Sequence, residues 1–139
     1  MTNFNTCSLD IVFKYLQCNN KLMQVQVEDT VLKPVDGYAT YTSTIELPTQ
    51  VKIKISGKNN KYDTKIDSNG NIYEDLAVII ESISLDKFKL EEQYLSQKIS
   101  ILTETGDTHT TSYYGFNGTV NIDFLEDNVF TQVLKANSC

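Results

Sequence analysis

The sequence predicts an all-β domain: an antiparallel β-sandwich of jelly-roll-like layout with a short C-terminal helix. Three observations carry this expectation. Val51, Ile53 and Ile55 alternate with Lys52, Lys54 and Ser56, the period-2 pattern of a strand with one face on a core and the other in water. Val120, Ile122 and Phe124 repeat the pattern against Asn121 and Asp123. The chain reads as about eight such short segments, punctuated by Asn, Asp, Gly and Pro and lacking βαβ alternation, which favours stacked antiparallel sheets.

Taken in order, Leu9, Ile11, Phe13 and Tyr15 alternate with Asp10, Val12 and Lys14 and predict the first strand. Cys18-Asn19-Asn20-Lys21 reads as a turn into a second strand over Leu22–Val27, so the two form a candidate hairpin. Pro34 and Asp36-Gly37 mark residues 29–41 as turns or irregular chain. The first 41 residues are thus expected to be less regular, a candidate arm for contact with a neighbour. Thr44–Leu47 predicts a short strand broken by Pro48-Thr49.

After the 51–56 strand, residues 57–71 are polar and turn-rich. Leu76–Leu85 contains Leu-Ala-Val-Ile-Ile, apolar on both faces, as suits a strand placed centrally in a sheet. Leu90, Tyr94 and Leu95 have helical spacing, Ile99 and Ile101 restart a strand, and Thr105-Gly106-Asp107 turns it. Asn117-Gly118 suits a two-residue hairpin turn. That turn pairs Phe116 with Thr119 and Tyr113 with Ile122, pointing Tyr113 inward and Tyr114 and Phe116 outward. Asp127 or Asn128 can cap a helix over 129–136, with Val129, Phe130, Val133 and Leu134 on one face and Lys135 in its last turn. Val51, Ile53, Ile55, Val78, Ile80, Ile83, Val120, Ile122 and Phe124 are the expected core.

At 139 residues the chain suits a single domain with a sizeable core. Its net charge of −6 argues against a nucleic-acid surface, which needs basic groups to displace counterions. All twelve basic residues are Lys, and without Arg the bidentate recognition of phosphate is lost. No apolar run is long enough for membrane insertion as a helix, and Met1–Cys7 lacks the basic and apolar regions of a signal peptide. Cys7, Cys18 and Cys139 have no metal-ligand spacing and read as buried or incidental thiols, although a Cys7–Cys18 disulfide is an alternative.

Several groups are candidates for chemistry. Asp63, Asp67, Asn69, Asn71, Glu74 and Asp75 fall in one short stretch, and Asp67-x-Asn69-Gly70-Asn71 has the alternating oxygen donors of part of a calcium loop. Asp67, Asn69, Asn71 and Glu74 are the candidate ligands for Ca²⁺; a solvated Asn-Gly turn explains the same residues without a metal. His109, the one histidine, lies near Asp107 and Ser112, but no serine elbow accompanies it. A surface histidine is the simpler reading. Outward Tyr114 and Phe116 are candidates for contact with a sugar or a partner protein. Glu91-Glu92 and Glu126-Asp127 read as solvated or helix-end charges. With one histidine, no phosphate loop and no full ligand set, the chain is expected not to be an enzyme.

Asp67-Ser-Asn-Gly-Asn-Ile, Asp75–Asp86 and Tyr114–Phe124 together resemble small β-sandwich domains carried by tailed phages, particularly marine ones, over roughly residues 51–134. The same strand-and-loop layout is loosely similar to calcium-dependent carbohydrate-binding jelly rolls, though the chain lacks Trp. The first resemblance implies a structural or attachment protein of a virion, made in the host cytoplasm, self-associating and contacting other virion proteins. The second implies a module that binds a host glycan with Ca²⁺.

Overall fold

A computed structural model describes residues 6–46, 49–59, 61–90, 99–103, 108–109 and 113–124. Among them there is no helix, and every strand pairing is antiparallel. One sheet contains β1 (Thr6–Leu16), β4 (Tyr38–Glu46), β8 (Ala77–Leu85), β9 (Phe88–Lys89) and β12 (Tyr113–Tyr114), ordered β12-β8-β1-β4 with β9 also on β8. The other contains β2 (Gln24–Val27), β3 (Thr30–Val31), β5 (Thr49–Ser56), β10 (Ile99–Thr103), β11 (Thr108–His109) and β13 (Gly118–Phe124), ordered β11-β10-β13-β5-β2-β3. A separate hairpin joins β6 (Thr64–Ile66) to β7 (Ile72–Asp75).

Both sheets feed one hydrophobic core, giving a sandwich-like arrangement. Leu9, Ile11, Phe13 and Tyr15 of β1 are buried in it, as are Val25 and Val27 of β2. All nine residues expected in the core from their alternation are buried. Lys52 and Lys54 lie on the exposed side of β5, as the alternation requires. The apolar run in β8 has a second explanation besides burial on two sides. Against β1 the register passes from Val12↔Ser82 to Phe13↔Ile80, so Glu81 is an extra residue. This bulge shifts the phase of the pleat, so Val78 and Ile80 before it and Ile83 and Leu85 after it are all buried.

Several expectations are corrected. The first 41 residues are not an irregular arm where described: β1 is an interior strand paired along both edges. Cys18 and Lys21 do bracket a turn, with Asn19 and Asn20 at φ of 55° and 59°. It does not join a hairpin, because β2 leaves β1 and pairs with β5 in the other sheet. The short strand expected at Thr44 starts at Tyr38, after a turn with Asp36 and Gly37 at φ of 54° and 84°.

Asn117-Gly118 makes no two-residue hairpin either. Neither residue has a positive φ, Tyr113 and Tyr114 pair with Ile79 and Val78 of β8, and Gly118 already pairs with Ile55 and Thr103. The chain changes sheets between Tyr114 and Gly118. Cys7 and Cys18 are free and buried. They flank the length of β1, about 30 Å of extended chain, so no disulfide can join them. The helical spacing after Leu90, the 105–107 turn, Glu91-Glu92, Glu126-Asp127 and the 129–136 helix lie outside the described residues.

Candidate functional site

The β6–β7 hairpin is a two-stranded sheet of its own, and two carboxylates at its base tie it to other elements. Asp75, the last residue of β7, accepts a hydrogen bond on Oδ1 from Lys58 Nζ at 2.5 Å and from Thr64 Oγ1 at 2.6 Å. Its Oδ2 accepts the Tyr113 hydroxyl. Lys58 lies just beyond β5 and is buried despite its charge; its ammonium also donates to Gly115 O at 2.7 Å. Asn117 closes the network by mimicking a strand neighbour: Lys58 N–H donates to Asn117 Oδ1 at 2.9 Å, and Asn117 Nδ2 donates to Lys58 O at 2.8 Å. The amide that suggested a hairpin turn is spent on this pair, which extends the β5–β13 ladder beyond Gly118.

Burial alone would raise the Asp75 carboxyl. The hydrogen bonds from Lys58, Thr64 and Tyr113, with the Lys58 charge, outweigh it and hold Asp75 below the usual carboxylate range. The Tyr113 hydroxyl is pushed up, first by burial and then by its bond to Asp75. Gly115 is required for space rather than for φ. A Cβ there would sit 2.9 Å from Asp75 Oδ2 and 3.0 Å from Tyr113 Cε1.

Asp63 is the second fastening, with a side chain only 2% exposed. It accepts Lys21 Nζ at 2.6 Å, Asn59 N–H at 2.7 Å and Asn19 Nδ2 at 3.0 Å. The Lys21 bond, followed by those from Asn59 and Asn19, pulls its carboxyl down to about 2. The Asn19-Asn20 turn thereby docks on the segment leading into β6.

Of the four candidate calcium ligands, Asp67 and Glu74 are engaged with other groups of the protein. Asp67 Oδ1 accepts the backbone N–H of Asn69 at 2.8 Å and of Asn71 at 3.0 Å, organising the tip of the hairpin around Gly70 at φ 84°. Glu74 accepts Asn19 N–H at 3.1 Å and faces Lys65 across the hairpin at 3.7 Å. Asn69 and Asn71 are exposed. Among the described residues no three His, Cys, Asp or Glu side chains converge as a metal site would need. These groups build a turn and a hairpin.

Tyr114 is corrected from outward to inward: it is fully buried, whereas Tyr113 is 39% exposed. Pairing with β8, not β13, inverts the two faces. Phe116 is half-buried against the core and meets the Tyr114 ring edge-on, with centroids 6.0 Å apart and planes at 77°. His109 pairs through its backbone with Ile101; Asp107 and Ser112 lie outside the described residues.

Exposed large apolar side chains occur at several places, Val35 the most exposed, and four of them cluster on and just before the hairpin. Ile66 and Ile72 form a cross-strand pair, 57% and 61% exposed. Tyr73 sits at the register shift beside them, and Tyr62 precedes β6; both are more than half exposed. Only the density of tyrosine and isoleucine amid polar residues hinted at this surface. Asp63 and Asp75 lie within the acidic stretch but are not among the candidate ligands, and their partners Lys21, Lys58 and Tyr113 are too distant in sequence for spacing to reveal them. Comparison with protein families, curated proteins and solved structures finds no match to this chain.

Proposed function

We propose that the protein is a non-enzymatic structural or attachment component of a tailed-phage virion, assembled in multiple copies, and that its two sheets are the layers of a jelly-roll-like β-sandwich. The β6–β7 hairpin carries this reading. Ile66, Ile72 and Tyr73 are held in water on a hairpin whose base is fixed by Asp63 and Asp75. A rigid element presenting apolar side chains suits contact with a neighbouring protein, because little conformational freedom is lost on docking. The carboxylates are consumed in holding that element, which favours a scaffold over chemistry. The resemblance of residues 51–134 to phage sandwich domains supports the virion setting.

A second reading, a calcium-dependent carbohydrate-binding module, draws on exposed Tyr62 and Tyr73, whose rings suit stacking on a sugar. Melting the protein in calcium and in EDTA separates the two, since a metal that binds only the folded state raises its melting temperature. The structural reading expects superimposable curves. A rise with calcium, accompanied by calcium-dependent retention on a polysaccharide, would replace it with the second.

A further inference from the structure

We propose that the outer edge of β4 is a self-association seam, at which a second copy adds its own β4 antiparallel across a two-fold axis through Thr42. The proposal deepens the multiple-copy reading above and rests on it.

Among the described residues β4 is an edge strand, bonded to β1 through nine consecutive pairs from Thr6↔Glu46 to Lys14↔Tyr38 with no register shift. Tyr15 N–H donates to Gly37 O at 2.8 Å, so odd-numbered residues of this segment direct their backbone groups toward β1. Even-numbered residues direct theirs to the open edge. Tyr38 is already satisfied there, exchanging both bonds with Val35 at 2.8 and 3.1 Å. Thr40, Thr42 and Thr44 then present their N–H and C=O groups with no backbone partner among the described residues; a long contact from the Ser43 hydroxyl reaches Thr44 O at 3.4 Å.

Such an edge is normally blunted by Lys, Pro, a bulge or shortness. From Tyr38 to Ile45, β4 has none of these and no charge at all. The strand is also self-complementary in one register. Centring on Thr42 sets Thr42 against Thr42 and Thr40 against Thr44 twice, engaging all three open residues in about six backbone bonds. A shift of one pair in one direction meets Tyr38, which Val35 occupies, and in the other brings in Glu46. In the centred register the outer face is a ladder of threonines, a favourable cross-strand pairing. On the inner face Tyr41 and Ile45, half-buried against the core, gain further cover.

Charge does not oppose the union. Asp10, which accepts the Thr42 hydroxyl at 2.8 Å, is three strand spacings from its counterpart, about 14 Å, beyond the screening length at physiological salt. Val35 already occupies the edge at Tyr38, so the ladder ends at the Thr40–Thr44 pairs and the second copy's Glu46 does not enter it.

The test uses the full chain with Cys139→Ser, since Cys7 and Cys18 are buried. Thr42→Cys places two cysteines opposite each other at a Cα separation of about 5.5 Å, within disulfide range. It should give a covalent dimer on mild oxidation. Thr40→Cys and Thr44→Cys alone should not, because each cysteine lies about 13 Å from its own copy along the strand. Thr42→Lys should be monomeric while still melting cooperatively, at a temperature that no longer depends on protein concentration. A Thr42→Cys chain that fails to cross-link while the unmodified protein still forms multimers overturns the seam and leaves the structural reading standing. Equal cross-linking at all three positions overturns the register. An unmodified protein that is monomeric at every concentration overturns both the seam and the reading on which it rests.

Discussion

Lys58 Nζ lies 2.5 Å from Asp75 Oδ1 with the two side chains only 4% and 13% exposed, so the ion pair joining the exit of β5 to the end of β7 is removed from water. Removing one member strands the other charge, which costs more than removing both. Lys58→Met is expected to lower the unfolding free energy by about 3 kcal/mol. Lys58→Met with Asp75→Asn should cost less than Lys58→Met alone. Urea unfolding of the singles and the double gives the coupling directly; additive losses would show that the pair is not coupled.

Gly115→Ala should destabilise the protein by about 2 kcal/mol, because its Cβ meets Asp75 and Tyr113 with nowhere to go. Gly70→Ala tests the other use of glycine. Nothing lies within 4 Å of a Cβ there, but φ is +84°, so a loss of about 1 kcal/mol should come from the backbone alone. Chemical denaturation of the two variants checks both values.

Acid should loosen the hairpin. Asp63 has its carboxyl lowered from 3.8 to about 2 in the folded protein, and Asp75 is also lowered. The folded state therefore binds fewer protons than the unfolded one in this window. Their contribution is complete above pH 4 and is lost as the pH falls toward 2. Asp63→Asn should flatten the fall in melting temperature between those limits. An unchanged acid limb would remove Asp63 from the account.

At the alkaline end the sign is reversed for two other buried groups, which keep their protons longer when folded. Burial pushes Tyr15 from 10 to about 12, and burial with the nearby Asp86 pushes Cys7 from 9 to about 11. Stability should decline as the pH rises above 9 and continue to fall toward 12. The Tyr15 and Tyr114 hydroxyls are buried without a hydrogen-bond partner among the described residues. Tyr15→Phe and Tyr114→Phe should therefore stabilise the protein at neutral pH, by about 1 kcal/mol each. Thermal melts across pH would show the Tyr15→Phe alkaline limb shifting upward.

Local alternation made β1, β5 and β13 legible, because burying one face of a strand writes itself into every second residue. It also located the core of β8, although the Glu81 bulge lets one strand bury both members of what look like opposite faces. What alternation does not encode is which strand pairs with which. The Asn19-Asn20 turn and the Asn117-Gly118 dipeptide both suggested hairpins, yet their flanking strands belong to different sheets. In the second case the Asn117 side chain bonds Lys58, fifty-nine positions away, a choice that no local pattern reveals. That single topological difference exchanged the environments of Tyr113 and Tyr114. Within the acidic stretch, Asp67 and Glu74 meet backbone N–H groups, and sequence cannot say where a carboxylate's partner comes from.

Sedimentation velocity over a wide range of protein concentration tests the structural reading most directly. The chain mass is 15.7 kDa. The account predicts species of multiple chains that persist in EDTA and grow in proportion as concentration rises. A single 15.7 kDa species at every concentration would contradict it.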